Sequence, residues 1–319
     1  MRILFTGASS FSGFWFVRGL AEAGHQVAAT FRRPLGDYQG LRQDRVTRLE
    51  RCCEPVPGCA FGDERFLQLI RSRDWDLLCH HAAEVTDYRS PSFDTVQALS
   101  NNARNVGPVL EALRDRGCRR IVLTGSVFEN GEGAGSEGLP AFSPYGLSKG
   151  LTAELFKYYA PGHGFRLGKF VIPNPFGPFE EPRFTAYLVR SWYAGQTPCV
   201  NTPAYVRDNI HISLLAKAYV AFAEGLGSRI GYQRLGPSGY VGSQGSFARL
   251  FAQSLAPELG IPCPVELKQQ TDFSEPRVRI NTDVLDAGQL GWDEQRAWSD
   301  LAEYYRATYG DSPQRGGAP

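Results

Sequence analysis

Tyr145 and Lys149 stand four residues apart in the segment Tyr-Gly-Leu-Ser-Lys. On a helix, this spacing puts both side chains on one face. A nearby ammonium group stabilises a phenolate and lowers the pKa of the tyrosine, so that the phenol can exchange protons near neutral pH. The pair therefore predicts an acid/base site that acts on a substrate oxygen.

A glycine-bearing turn, Thr6-Gly-Ala-Ser-Ser-Phe-Ser-Gly13, lies between a short apolar strand at residues 3–5 and a helical pattern formed by Phe14, Val17 and Leu20. Backbone N–H groups and a helix dipole at such a turn can cradle the pyrophosphate of a dinucleotide. The alternative is that the two glycines only shape the turn. With the tyrosine–lysine pair, the turn indicates hydride transfer to or from a carbon that bears oxygen.

The end of the second strand bears on the choice of cofactor. NAD sites usually carry an acidic residue there, whereas residues 30–34 read Thr-Phe-Arg-Arg-Pro. Arg32 and Arg33 suit a 2′-phosphate by charge and geometry, which favours NADP(H), with NAD(H) as the alternative if both arginines are merely solvated. Asp63 is predicted either to bind the adenine amino group or to cap a helix.

Two further polar residues could belong to the site. Ser126 lies just past the strand at residues 120–124, at the sheet edge where α/β proteins bind ligands, and its hydroxyl could hold the substrate oxygen. The alternative is a solvent-exposed serine. Asn102 falls inside a predicted long helix over residues 95–116, where asparagine is unfavourable, so it is either functional or a buried residue that satisfies the backbone.

The composition limits the class of protein. The chain has 319 residues, is 42% hydrophobic, and carries 34 Lys and Arg against 33 Asp and Glu, which gives no reason to expect a nucleic-acid or membrane partner. Seven cysteines without a C-x-x-C motif predict a reduced, cytoplasmic protein, and no metal site is expected at Cys52-Cys53 because no third ligand is near. Neither a signal peptide nor a membrane span is expected.

Strand and helix patterns alternate through residue 172, which predicts an α/β fold with a doubly wound parallel sheet of the Rossmann type. We expect a dinucleotide-binding domain over residues 1–172, to which residues 204–226 return. Residues 173–309 are predicted to form mainly a smaller, C-terminal substrate-binding lobe, and residues 310–319 a disordered tail.

Taken together, these features resemble the extended short-chain dehydrogenase/reductase family of NAD(P)-dependent sugar-nucleotide epimerases, dehydratases and reductases. The resemblance covers roughly residues 1–309. The matching segments are Thr6-Gly7 to Gly13, Gly62-Asp63, His81-Ala82-Ala83, Asn102, Ser126, Tyr145 with Lys149, Asn174-Pro-Phe-Gly-Pro178, Val206-Arg-Asp-Asn-Ile-His211 and Leu290-Gly-Trp292.

The resemblance implies roles for individual residues. Tyr145 would be the general acid/base, Lys149 would lower its pKa and hold the nicotinamide ribose, Ser126 would hold the substrate oxygen, and Asn102 would support them. Asn174 and Arg207 would bind the diphosphate of a nucleotide sugar, with a salt bridge from Arg207 to Asp208 as the alternative; Arg277 and Arg279 would add a second phosphate contact. The implied cofactor-binding residues are Thr6, Gly7, Ser9, Ser10, Phe11, Gly13, Arg32, Arg33, Asp63, Ala82, Ala83, Tyr145, Lys149 and Pro173.

The chain departs from the family pattern at three places. Ser10 replaces the usual middle glycine of the turn, so its extra Cβ is expected to displace the pyrophosphate or alter the turn. Val127-Phe128 replaces the Asp-Glu pair of the dehydratases, which removes the acid and base that elimination needs. Asn130-Gly131 replaces Tyr-Gly, a change for which we have no physical account.

The arginines after the second strand make an NADPH-dependent reductase of a nucleotide-linked 4-ketosugar the main prediction. An NAD-dependent nucleotide-sugar 4-epimerase is the alternative, and a protein that only senses NADP(H) is a third. By analogy with the family, we expect a homodimer that pairs the predicted helix at residues 95–116 and the helix that carries Tyr145.

Overall fold

The computed structural model describes residues 1–227 and 230–310. Within the predicted disordered tail, Gly310 caps the last helix, and residues 311–319 lie outside the described part of the chain.

A seven-stranded parallel sheet forms the centre of the fold, in the strand order β10-β6-β5-β4-β1-β2-β3. The strands of the chain are β1 (Arg2–Thr6), β2 (Gln26–Thr30), β3 (Glu54–Val56), β4 (Leu77–His80), β5 (Arg120–Ser126), β6 (Arg166–Ile172), β7 (Asn174–Phe176), β8 (Cys199–Val200), β9 (Val206–His211), β10 (Gly231–Leu235), β11 (Pro237–Ser238), β12 (Tyr240–Ser243), β13 (Glu266–Leu267), β14 (Val278–Arg279) and β15 (Asp283–Val284).

Helices cover both faces of this sheet, as the alternating pattern predicted. They are α1 (Phe11–Glu22), α2 (Gly40–Leu49), α3 (Glu64–Arg71), α4 (Thr95–Asn102), α5 (Val106–Asp115), α6 (Pro144–Gly162), α7 (Phe184–Tyr193), α8 (Ile212–Gly225), α9 (Gln244–Leu259) and α10 (Glu294–Tyr309). A single 3₁₀ turn at Leu35–Asp37 precedes α2.

Side-chain alternation along the strands builds two cores. Ile3 and Phe5 of β1 pack with α1, α2 and α8 on one face, whereas Leu4 packs with α3, α5 and α6 on the other. Because successive strand residues point to opposite faces, a strand buried on both sides is apolar at nearly every position. The doubly wound Rossmann-type fold is thereby confirmed.

The second half of the chain forms a separate apolar cluster from α7, α9 and α10. In this half, β9 pairs with β7, β12 and β14 in a small mixed sheet. Helix α8 packs on α1, and β10 (residues 231–235) joins the edge of the central sheet, outside the segment that the sequence predicts to return to it. The exact domain division stays a prediction.

The single long helix expected at residues 95–116 is wrong. The structure has two helices there, separated at Asn105, whose backbone is left-handed with φ +50°. The Asn105 amide donates to the Gly62 carbonyl at 2.8 Å, and Pro108 has no N–H for a continuous helix. Asn102 is consequently the last residue of α4.

No helix within residues 1–227 and 230–310 combines the length and apolar character that a membrane crossing requires.

Candidate active site

One large crevice runs along the carboxyl edge of the central sheet, with a cavity volume of about 1470 Å³. The glycine turn, the ends of β4 and β5 and the start of α6 line one part of it, and residues 173–185 with Arg207 line the other. Among the predicted cofactor residues, all except Gly13 and Asp63 line this crevice.

The glycine turn keeps its backbone open because side chains are missing at two positions. Gly7 has φ +85°, and a Cβ there would lie 2.7 Å from the Ala82 nitrogen. A Cβ on Gly13 would lie 2.2 Å from the Gly7 carbonyl oxygen. A turn of this kind at the N-terminus of α1 fits the pyrophosphate of a dinucleotide.

Ser10 is the N-cap of α1, and its backbone is extended and unstrained. Its hydroxyl donates to the Gly7 carbonyl at 2.9 Å and accepts the Gly13 N–H at 3.1 Å. The residue that replaces the usual glycine therefore stabilises this turn without a positive φ. The predicted displacement of the pyrophosphate stays a prediction.

Two buried histidines connect the strand ends beneath the crevice. His80 bonds to the Thr6 hydroxyl and to the Asn102 carbonyl oxygen, each at 2.9 Å. His81 lies 3.0 Å from both the Ser10 and the Thr124 hydroxyls. Burial lowers the pKa of both imidazoles to about 3, so they are neutral hydrogen-bonding groups that fix the turn against β4 and β5.

At the far end of β2, the two arginines differ. Arg32 forms a 3.0 Å ion pair with Glu84, whereas Arg33 is exposed at the crevice rim. Burial favours the neutral form of Glu84, but hydrogen bonds from Thr86 and the charge of Arg32 outweigh it and lower its pKa to about 2. Arg32 thus has a charged partner at the crevice rim, although its side chain, like that of Arg33, is exposed to solvent.

Asp63 is the N-cap of α3, as one of its two predicted roles requires. Its carboxylate accepts the Phe66 N–H at 2.7 Å and the Ala60 N–H at 2.9 Å. The contact with adenine stays a prediction.

Tyr145 lines the crevice, and aromatic rings surround it. The ring of Tyr88 meets it edge-on at 5.4 Å between centroids, and Phe93 does so at 6.1 Å. Burial raises the pKa of Tyr145, and the charge of Glu129 and the nearby Tyr88 raise it further, while Arg183 lowers it. The phenol is therefore protonated at neutral pH.

Lys149 lies one turn further along α6, and its ammonium donates to the Thr124 carbonyl at 2.5 Å. Burial lowers the pKa of Lys149 to about 8, against an upward effect of Glu129. The pKa of Tyr145 is raised by its burial in this structure, and the predicted lowering of it by Lys149 stays a prediction. Both side chains nevertheless line the same crevice.

Ser126 ends β5 and is almost fully buried at the crevice wall. Its hydroxyl accepts the Phe128 N–H at 3.2 Å, and its own N–H donates to Glu129 at 2.7 Å. Asn102 is buried, and its amide oxygen accepts the Glu84 N–H at 2.8 Å while its amide nitrogen donates to Thr152 at 3.4 Å, as expected of a residue that satisfies the backbone. Its supporting role in catalysis stays a prediction.

Arg207 and Asn174 stand where the second half of the chain meets the crevice. The Arg207 guanidinium stacks on the ring of Tyr205 at 4.6 Å and pairs with Glu275 at 2.9 Å. The alternative of a salt bridge to Asp208 is wrong, because that carboxylate accepts the Gly239 N–H instead. Asn174 donates to the Asp208 carbonyl at 3.1 Å.

The other two arginines predicted to bind phosphate lie away from the crevice. Arg279 is fully buried and donates to the carbonyls of Val127, Glu129, Glu132 and Pro140, so it clamps the loop after β5. Arg277 is exposed and stacks on Phe273 at 4.4 Å. The substrate-binding role of Arg279 is therefore wrong, and Arg277 has no contact that supports one.

Four crevice residues were missed by sequence reasoning. Tyr88 contacts Tyr145, Arg183 lies 5.7 Å from the ring of Tyr88, and Glu275 holds Arg207. Burial raises the pKa of the fourth, Glu180, to about 7, although the Thr185 hydroxyl donates to it at 2.8 Å. These residues lie in loops without a motif, so no spacing in the sequence marks them.

A comparison with protein-family models shows the family of this chain. The model of the NAD-dependent epimerase/dehydratase family matches residues 3–229. No curated protein matches the chain.

Solved structures match the fold over nearly the whole chain. One is a UDP-glucuronic acid 4-epimerase mutant from Bacillus cereus with UDP-4-deoxy-4-fluoro-glucuronic acid and NAD (18% identity, 97% of this chain and 100% of that chain, TM-score 0.75). Another is UDP-glucose 4-epimerase from Thermotoga maritima with UDP-glucose (21%, 97% and 99%, TM-score 0.71). A third is MoeE5 with UDP-glucose and NAD (20%, 97% and 99%, TM-score 0.68).

With the family match over most of the chain and the tyrosine, lysine and glycine turn on one crevice, this protein belongs to the NAD-dependent epimerase/dehydratase family of extended short-chain dehydrogenases/reductases and is an NAD(P)-dependent enzyme.

Proposed function

We propose that this enzyme is a nucleotide-sugar 4-epimerase that keeps NAD bound through its reaction cycle. The observation that carries the proposal is the single crevice, which runs from the glycine turn past Ser126, Tyr145 and Lys149 to Arg207. Its volume of about 1470 Å³ exceeds the usual range of about 300–1,000 Å³ for one small ligand. Two ligands can therefore meet at Tyr145.

The ion pair of Arg32 favours NAD over the NADP(H) expected from the sequence. A 2′-phosphate would have to compete with Glu84, whose low pKa keeps it charged, for the Arg32 guanidinium. Two of the solved structures compared above, the UDP-glucuronic acid 4-epimerase mutant and MoeE5, are described with NAD. Arg33 and Arg42, which are exposed and line the crevice, remain available to a 2′-phosphate.

For the substrate, Arg207 supports a nucleotide diphosphate. Its buried guanidinium lies at the crevice, stacked on Tyr205, and a planar donor of this kind suits phosphate oxygens. A diphosphate would take the place of the Glu275 carboxylate, which is 53% exposed and can turn into solvent. Since the three solved structures compared above contain UDP-linked ligands, we propose UDP-linked hexoses as the substrates to test first.

Ser126, Tyr145 and Lys149 each have a part in the proton transfer that accompanies hydride transfer. Bound NAD would supply the acceptor that takes a hydride from the sugar C4 and returns it to the opposite face. Ser126 holds the C4 oxygen, and Tyr145 takes the hydroxyl proton as the carbonyl forms and gives it back as the carbonyl is reduced. Lys149 contributes a buried positive charge at the same wall of the crevice.

A reductase of nucleotide-linked 4-ketosugars is the second candidate, and the raised pKa of Tyr145 favours it. A protonated phenol can donate a proton to a carbonyl oxygen without any preceding step, whereas an epimerase must first accept one. The two reactions therefore differ in pH dependence: epimerisation should accelerate as Tyr145 ionises, and reduction should not.

The deciding experiment starts from the purified protein. Its absorbance and extracted nucleotides reveal any tightly bound dinucleotide, and NMR follows UDP-glucose or UDP-glucuronic acid incubated without added cofactor. We expect bound NAD and appearance of the 4-epimer. Net oxidation of NADPH by a UDP-4-ketosugar, with no epimer formed, would refute the epimerase and support the reductase.

The proposal includes a homodimer and a cytoplasmic location. Helices α4 and α6 pack side by side and expose Val96, Leu147, Leu151 and Tyr158, an apolar surface that a second copy could cover. Sedimentation that finds a monomer at micromolar concentration would remove the dimer.

A further inference from the structure

Glu129 and Lys169 form a buried ion pair next to Ser126. The side chains are 0% and 3% exposed, and the Lys169 ammonium lies 2.6 Å from one Glu129 carboxylate oxygen. The other Glu129 oxygen accepts the Ser126 N–H at 2.7 Å. One carboxylate therefore joins the main chain of a proposed catalytic residue to a cation on β6.

The glycines around the pair show how closely it approaches the site. A Cβ on Gly125 would lie 2.7 Å from Lys169 Cε and 3.1 Å from the Glu129 carboxylate. A Cβ on Gly150, the residue after Lys149, would lie 3.8 Å from Glu129 Cβ. Glu129 thus fills the space between the end of β5 and the part of α6 that carries Lys149.

Lys169 has two carboxylate partners, although one would neutralise its buried charge. Glu132 also binds the Lys169 ammonium, at 2.7 Å, and is itself paired with Arg234 at 2.8 Å. Buried ion pairs add little net stability, and apolar residues of similar volume often replace them without loss. A second carboxylate on Lys169, placed against Ser126, therefore calls for a reason beyond stability.

We propose that Glu129 is a positioning residue of the acid/base site, which fixes the main chain of Ser126 and places a buried carboxylate against the part of α6 that carries Lys149. The proposal deepens the function proposed above and rests on its assignment of Ser126, Tyr145 and Lys149.

The other charged groups around these residues are few. For Lys149, Glu129 raises the pKa and Lys169 lowers it, while the adjacent His80 and His81 are neutral. For Tyr145, Glu129 and the Tyr88 phenol raise the pKa, and Arg183 lowers it. Removing the charge of Glu129 should therefore lower the pKa of both Tyr145 and Lys149.

Glu129→Gln removes the charge and preserves the shape, and Glu132→Gln is its matched control. Glu132 is also buried and also binds Lys169, but its second partner is Arg234, whereas that of Glu129 is the Ser126 N–H. We expect the pKa of Lys149 to fall by about half a unit or more in Glu129→Gln and to stay unchanged in Glu132→Gln.

The first readout is independent of the reaction. The chain contains only five lysines, Lys149, Lys157, Lys169, Lys217 and Lys268, so ¹³C-lysine NMR can follow each one through a pH titration. Lys169→Met is the second variant: because Lys169 lowers the pKa of Lys149, its removal should raise that pKa. Shifts of opposite sign from the two halves of one ion pair cannot arise from loosened structure alone.

The second readout is the pH profile of kcat. In Glu129→Gln, both limbs should move to lower pH, and kcat should fall several-fold because the Ser126 N–H keeps only a neutral acceptor, while Glu132→Gln keeps the wild-type profile. An unchanged pKa of Lys149 in Glu129→Gln, or an equal shift in Glu132→Gln, would overturn the proposal. A shifted Lys149 in a protein without epimerase activity would instead refute the proposed function and leave the role of Glu129 intact.

Discussion

Arg45 ties the glycine turn to the loop after β7, and its replacement by methionine tests whether this tie controls cofactor binding. The fully buried guanidinium donates to the Ser9 carbonyl at 3.0 Å and to the Phe179 carbonyl at 2.7 Å, and pairs with Glu181 at 2.6 Å. One side chain on α2 therefore joins both parts of the crevice.

The size of the effect follows from these three contacts. Breaking a buried ion pair costs about 3–5 kcal/mol when the partner stays buried, but Glu181 is 33% exposed and can be rehydrated. We therefore expect Arg45→Met to lower the free energy of unfolding by about 2–4 kcal/mol. Loss of the charged hydrogen bond to Ser9, worth about 1.5 kcal/mol, should weaken dinucleotide binding by up to about tenfold.

Urea unfolding and calorimetric titration with NAD measure the two effects separately. Arg48→Met is the matched control, because Arg48 lies one turn further on α2 and stacks over Phe179 at 4.7 Å without touching Ser9 or Glu181. Arg45→Lys should recover little, since an ammonium cannot make three directed contacts at once. If Arg45→Met bound NAD as tightly as Arg48→Met does, the link between this arginine and the cofactor turn would be refuted.

Four more substitutions have defined outcomes. Tyr145→Phe should abolish turnover but leave dinucleotide binding within about twofold of wild type, as measured by fluorescence titration. Gly13→Ala should prevent dinucleotide binding, because its Cβ would lie 2.2 Å from the Gly7 carbonyl; titration calorimetry detects the loss. Wild-type stability should rise from about pH 8 towards the usual lysine pKa of 10.5, because unfolded Lys149 keeps a proton that the folded protein releases, and Lys149→Met should remove this rise in urea-unfolding curves. The raised pKa of Glu180 should lower stability as pH increases from about 4.5 to about 7, and Glu180→Gln should remove that decline in the same assay.

Local signals in the sequence were enough to predict the elements that hold the acid/base pair. The Ser143 hydroxyl caps α6 and Pro144 occupies its first turn, as the residue types required. Apolar strand segments that alternate with helical patterns likewise predicted a doubly wound parallel sheet, because a buried parallel strand must be apolar on both faces. Tyr145 and Lys149 therefore both lie on α6 and line the crevice, as their four-residue spacing predicted.

Contacts between distant segments could not be predicted in the same way. Asn105 breaks the expected long helix because its side chain bonds to Gly62, a residue more than 40 positions earlier. Helix α2 was missed because its sequence is polar, and nothing local reveals that Arg45 is buried against residues 134 and 136 positions away. Arg279 looked like a phosphate ligand for the same reason: its backbone partners lie in another part of the sequence.

Burial acts in opposite directions on the two halves of the acid/base pair, and this explains why a carboxylate beneath them matters. It raises the pKa of Tyr145, which keeps the phenol protonated, and lowers that of Lys149 to about 8, which brings the ammonium close to losing its charge. Glu129 opposes the second effect and reinforces the first. The Glu129 carboxylate therefore helps to keep Lys149 protonated, and it also makes the Tyr145 phenol less acidic. The four-residue spacing of Tyr145 and Lys149 predicts that both side chains reach one site. Their protonation states depend on burial and on the nearby charge of Glu129, which the spacing does not reveal.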